Sequence, residues 1–113
     1  MHELSLMEGI VSLVEQAAQE HNFTKIKTIR LVLGELTSAY PDALRAAFEA
    51  WADDPLFAET CLEIERLPIS ASCRSCNHAF SPDSVRFECP LCGSQQVEMG
   101  QGQEFYVDYI EGV

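Results

Sequence analysis

A chain of 113 residues suffices for one ordinary domain, or for a small domain with an appended module, and 47% apolar content allows a compact core. The formal net charge of -11, from 18 acidic against 7 basic residues, argues against a phosphate-backbone partner. It suits metal cations, a basic protein surface or solubility alone. No apolar run approaches the ~20 residues that cross a bilayer, and the first residues lack the basic and apolar regions of an export signal, so a cytoplasmic location without membrane attachment is expected.

In chain order, residues 5–21 predict an amphipathic helix. Leu6, Ile10, Leu13, Val14 and Ala17 fall on one apolar stripe. Ser5 with Glu8 three residues later has the form of a capping box, which places the helix start near Ser5 and leaves residues 1–4 outside. The step His21-Asn22 closes it. Residues 25–34 read as a strand in which Ile29, Leu31 and Leu33 alternate with Thr28, Arg30 and Val32, ending at Gly34.

A second helix fits 41–52, with Pro41 in its first turn, Leu44, Ala47, Phe48 and Trp51 toward the core, and Asp53-Asp54-Pro55 as its stop. Residues 61–67 form a second strand with Leu62 and Ile64 on one face and Glu63 and Glu65 on the other. Cys61, in the same strand, is expected to be a buried small hydrophobe. Residues 103–110 form a third, with Phe105, Val107 and Tyr109 alternating against Tyr106 and Asp108.

The stretch 70–100 has too little apolar content to fold on packing alone. The expected fold is therefore α+β. Two helices lie on a small three-stranded mixed sheet, and a zinc-ribbon-like module with four cysteines is inserted before the last strand. This gives an α/β domain over 1–69 plus 101–113 and a metal-binding domain over 70–100.

The insert carries Cys73 and Cys76, then Cys89 and Cys92, two CxxC pairs twelve residues apart. Each pair can aim two thiolates at one ion, and four thiolates make the closed tetrahedral site typical of structural zinc. Gly93 suits the turn of the second pair. Disulfides, a redox CxxC or a rubredoxin-like iron are the competing readings. A closed four-sulfur site leaves no position for water, so hydrolytic chemistry is not expected.

At the other end of the chain, the α-amine of Met1 and the peptide nitrogen and Nδ1 of His2 can chelate one ion in fused rings, a nitrogen set suited to Ni(II) or Cu(II). Glu3 could add its carboxylate or only its backbone nitrogen. His21, at the helix end, and His78, in the sulfur loop, are weaker candidates, the latter as a solvated or hydrogen-bonding neighbour of the ligands.

Met1-His2-Glu3, the helix behind it, the run Ile29 to Leu36 and the CxxC-x12-CxxC insert before the last strand together resemble the HypA/HybF family of hydrogenase maturation factors, over essentially the whole chain. The resemblance implies a metallochaperone and not an enzyme. It implies Ni(II) as cargo on His2 with the Glu3 position contributing, to which the chelate chemistry above adds the Met1 amine, and structural Zn(II) on Cys73, Cys76, Cys89 and Cys92. The implied partners are a HypB-type GTPase and the precursor of the [NiFe]-hydrogenase large subunit, with urease maturation served by some relatives. A monomer or weak homodimer is expected. The competing function is a zinc-ribbon adaptor for protein or nucleic acid without a nickel role; the acidic charge disfavours its nucleic-acid version, since Arg74 and Arg86 stand in the insert among Asp83, Glu88 and Glu98.

Overall fold

The computed structural model describes residues 2–37, 39–82 and 87–113. Met1 of the expected nickel site, and Asp83 and Arg86 of the insert, lie outside the described residues. The elements are α1 (His2–Glu20), β1 (Ile26–Gly34), α2 (Pro41–Phe48) with a 3-10 turn at Glu49–Trp51, β2 (Cys61–Leu67), β3 (Ala71–Cys73), β4 (Ala79–Phe80), β5 (Val97–Met99) and β6 (Phe105–Gly112).

The first helix begins at His2, not near Ser5. Ser5 and Glu8 are helical interior positions and form no boundary. The reason is local. Glu3 in the first turn opposes the positive end of the helix dipole, and Met7 is fully buried, so the turn ahead of it stays helical. The buried stripe is Met7, Ile10, Val11, Val14 and Ala18, rotated from the expected one. Leu6 and Ala17 are only half-buried, and Leu13 is 56% exposed. The helix ends as expected at His21-Asn22. Asn22 adopts φ 56°, Phe23 N–H donates to Ala18 O (2.9 Å) and Asn22 N–H donates to Gln19 O (3.3 Å). This is a Schellman closure with asparagine in the left-handed position.

Three strands form a sheet in the order β2-β1-β6. Lys25 and Val113 exchange hydrogen bonds of 3.3 and 3.0 Å while Gly34 N–H donates to Glu104 O at 2.8 Å, so β1 and β6 run antiparallel. Ile26 N–H donates to Leu56 O (2.9 Å) and Glu35 N–H to Leu67 O (3.0 Å), so β1 and β2 run parallel. The sheet is mixed, and α2 supplies the crossover that a parallel pair requires. Pro41 opens α2 after an extended Tyr40, and the Asp54 carboxylate accepts the Leu56 amide (2.9 Å) at the expected stop.

The chain divides into two compact units, one of Met1–Val32, Ser38–Glu65 and Tyr106–Val113, the other of Leu33–Thr37 and Arg66–Phe105. In the first, the buried stripe of α1, Ile26, Ile29 and Leu31 of β1, Leu44, Phe57 and Leu62 make the core. Phe48 meets Phe57 edge to face at 5.7 Å. Ala47, Phe48 and Trp51 reach only partial burial.

Arg30 binds Glu63 (3.3 Å), Glu65 (2.7 Å) and Asp108 (3.5 Å), one guanidinium spanning both neighbouring strands. Cys61 is exposed, contrary to expectation. The period of two in β2 places it with Glu63 and Glu65, on the face away from buried Leu62. Tyr109 is likewise 45% exposed, on an edge strand with one neighbour.

In the second unit, β3 pairs antiparallel with β4 (Ala71↔Phe80, Ser72↔Ala79) and with β5 (Ala71↔Met99, Ser72↔Glu98, Cys73↔Val97). These three short strands inside the insert are additions to the expected elements, because none is long enough to show a period in the sequence.

Candidate metal centre

The last residue of β3 is Cys73, and the chain turns immediately after it. Asn77 N–H donates to Cys73 O (2.8 Å), and Cys73 N–H donates to His78 O (2.9 Å). The second turn repeats this sixteen residues on: Gly93 N–H donates to Cys89 O (2.8 Å) and Cys89 N–H to Ser94 O (2.9 Å). Each turn needs one left-handed residue after its second cysteine. Gly93 takes φ 74° and Asn77 takes φ 62°, asparagine being among the few side chains that tolerate this. The amides two residues past the first cysteine of each turn point at sulfur, Ser75 N–H at Cys73 Sγ (3.3 Å) and Leu91 N–H at Cys89 Sγ (3.4 Å).

These repeated turns bring four sulfurs together. Cys73 Sγ is 3.6 Å from Cys92 Sγ, Cys76 Sγ is 3.6 Å from Cys89 Sγ, and all four lie within 4.8 Å of one another. A tetrahedron with ~2.3 Å metal–sulfur bonds has edges of about 3.8 Å. A disulfide would require about 2.05 Å, and all five cysteines of the chain are free thiols. The cluster therefore fits a four-sulfur metal ion and not a disulfide pair. Cys73 and Cys89 are buried; Cys76 and Cys92 are exposed.

The electrostatics point the same way. Burial pushes the Cys73 thiol up, but hydrogen bonds from the Cys76 and Ser75 amides and from the neighbouring thiols outweigh it and bring it down to about 6. The His78 amide favours ionisation of Cys76, yet local desolvation of its sulfur, which faces the cluster although the residue is exposed, and three adjacent sulfurs push that thiol up to about 12. One thiolate forms readily and opposes the next, so a set of four requires a cation among them.

His78 lies beside the cluster with its ring stacked on Phe80 at 5.9 Å, and it serves through its backbone. The Ser75 and Leu91 amides carry no signal in the sequence, and their role is visible only once both turns are seen to repeat.

His2 is the first residue of α1 and is exposed; Glu3 is half-buried in the same turn. A hydrogen bond with its own backbone amide, aided by the nearby His2, holds the Glu3 carboxyl below its usual range. His21 stacks on Phe23 at 5.6 Å. Among the described residues no other group of three or more His, Cys, Asp or Glu side chains is gathered for a metal, and no helix is long and apolar enough to cross a membrane.

Residues 1–112 match the family model described as hydrogenase/urease nickel incorporation, metallochaperone, hypA. The chain belongs to the HypA family. It is similar to the hydrogenase maturation factor HypA of Moorella thermoacetica, 39% identical over 112 residues with 99% of each chain covered. To that of Desulfitobacterium hafniense it is 37% identical, covering 98% of this chain and 97% of the relative. The solution structure of the Ni metallochaperone HypA from Helicobacter pylori superposes with a TM-score of 0.66 at 25% identity, covering 100% of this chain and 98% of that one. HypA proteins are nickel metallochaperones of hydrogenase or urease maturation, and the four-cysteine cluster is in keeping with a structural zinc beside a nickel cargo.

Proposed function

We propose that this chain carries Ni(II) on its N-terminus and delivers it to [NiFe]-hydrogenase, while zinc on Cys73, Cys76, Cys89 and Cys92 holds the shape of residues 70–100. The nickel ligands are the α-amine of Met1, the peptide nitrogen and imidazole of His2, and Glu3. Residues 1–69 plus 101–113 carry the cargo.

The observation that carries this reading is the contrast between the two candidate sites. His2 is exposed at the start of a helix, open to ligand exchange. The sulfurs form a closed tetrahedron with two members buried. The start of α1 at His2 adds a physical reason. The opening amides of a helix make no bond to a carbonyl four residues back, so surrendering the His2 proton to nickel removes no rung of the helix. The positive end of the dipole favours the resulting anionic nitrogen and disfavours the cation itself, a balance suited to release. Four sulfurs fill a tetrahedral shell and leave no open position on the ion, which supports a carrier and not an enzyme.

The partners under this reading are a HypB-type GTPase and the hydrogenase large-subunit precursor, with urease as a second client, in the cytoplasm. The family's role in hydrogenase and urease nickel incorporation supports this. Equilibrium titration of untagged protein with Ni(II), alongside His2→Ala and elemental analysis for zinc, tests it. His2→Ala is expected to lose nickel binding with zinc unchanged. Undiminished nickel affinity would refute the assignment.

A further inference from the structure

One hydrogen bond in the sulfur module joins the two turns through side chains that are not ligands. Ser75 lies inside the first CxxC and Ser94 directly follows Gly93 of the second, and their hydroxyls are 2.9 Å apart. Each serine is also built into its own turn. The Ser75 amide points at Cys73 Sγ (3.3 Å), and Ser94 accepts the Cys89 amide on its carbonyl (2.9 Å) and the Gln96 amide on its hydroxyl (3.1 Å). The 2.9 Å contact therefore ties the geometry of one half of the tetrahedron to that of the other. Cys76 and Cys92, the two ligands open to solvent, belong one to each turn.

We propose that the Ser75–Ser94 contact is a clasp that sets how fast the zinc site opens, and thereby keeps nickel off the thiolates. For zinc to leave, or for another metal to enter, the two turns must part. Zinc has no electronic preference among geometries and settles in a tetrahedron, whereas Ni(II) gains from a square-planar set. A clasp that holds the sulfurs tetrahedral thus discriminates against the cargo metal at the place where soft ligands would otherwise retain it. Ser75 and Ser94 are positioning residues; neither touches the ion. The inference rests on the nickel-carrier reading only in naming nickel as the competitor.

The test is the rate of zinc transfer from zinc-loaded full-length protein to the chromophoric chelator 4-(2-pyridylazo)resorcinol, with no nickel present. Ser75→Ala is expected to speed release roughly threefold, as the loss of one exposed hydroxyl bond would, and Ser75→Thr to restore it. Ser94→Ala also removes the acceptor of the Gln96 amide and should be faster still. Adding Ser75→Ala to it should change nothing more, because the bond is already gone. Cobalt-substituted variants should keep the charge-transfer spectrum of a four-thiolate site.

Wild-type release rates in Ser75→Ala, or independent additive effects in the double variant, would overturn the clasp. A second arm exposes each zinc-loaded protein to excess Ni(II) and follows the nickel–thiolate charge-transfer band, expected to grow faster in Ser75→Ala than in the wild type. An immediate band in the wild type would overturn the clasp's role in keeping nickel off the thiolates and would count against nickel at the N-terminus as well, whereas the zinc-release arm, run without nickel, tests the clasp independently of that reading.

Discussion

Gly34 faces the backbone of Gly102 so closely that a Cβ on Gly34 would stand 2.2 Å from both the carbonyl carbon and the oxygen of Gly102. Backbone cannot swing aside as a side-chain tip can. Gly34→Ala should therefore destabilise the protein by about 3 kcal/mol or more. Gly9, on the exposed side of α1, has open space where its Cβ would be, and Gly9→Ala should stabilise by about 0.5–1 kcal/mol. Urea unfolding of the two variants checks both signs.

Removing a buried sulfur tests what the second unit depends on. Cys89→Ser should lose zinc and lose order over residues 73–92, because little apolar surface is available there to replace the metal's contribution. The helices should survive, their core being Met7, Ile10, Val14 and Leu44 in the other unit. Elemental analysis, far-UV circular dichroism and amide exchange report the three outcomes. Full zinc stoichiometry would contradict the ligand set.

Acid should empty the sulfur site. The Cys73 value of about 6 lies below the ordinary thiol value of 9.0, so its contribution to the metal-free module is complete above pH 9.0 and is lost as pH falls through about 6. Zinc binds thiolate in competition with protons and moves that window lower still. Zinc should remain bound at neutral pH and be released, with proton uptake, only below about pH 6. Chelator-detected zinc across a pH series measures this, and spontaneous loss above neutrality would count against it.

Arg30 stands among Glu63, Glu65 and Asp108 at the sheet surface. Arg30→Met should lower the melting temperature by leaving these carboxylates on adjacent strands without their shared cation. The deficit should shrink at high salt, where exposed charges are screened, and at acid pH, where the carboxylates are protonated. A deficit indifferent to both would show that Arg30 acts by packing alone.

The strands β1 and β2, the helix α2 and the sulfur cluster are legible in the sequence because each announces itself locally, by a period of two, a proline opening a helix, or paired CxxC spacing. The features that escape such a reading turn on competition between local signals and packing. Ser5 and Glu8 look like a boundary, yet the burial of Met7 carries the helix back to His2. The stripe through Leu6 and Leu13 looks equivalent to the one through Met7 and Val11 on a helical wheel, and only the rest of the fold chooses between them. For Cys61 the residue type points inward, while its phase with Glu63 and Glu65 points outward, and the phase wins. The hydroxyl pair Ser75–Ser94 joins positions nineteen residues apart and has no sequence signature.

The proposed function requires cargo nickel and structural zinc to occupy different donor sets. X-ray absorption at both metal edges of native, untagged protein loaded with one equivalent of nickel tests it most directly. Zinc is predicted to show four sulfurs at ~2.3 Å, and nickel a first shell of nitrogen and oxygen that disappears in His2→Ala. Nickel bound to sulfur, with the N-terminal amine and imidazole untouched, would contradict the account.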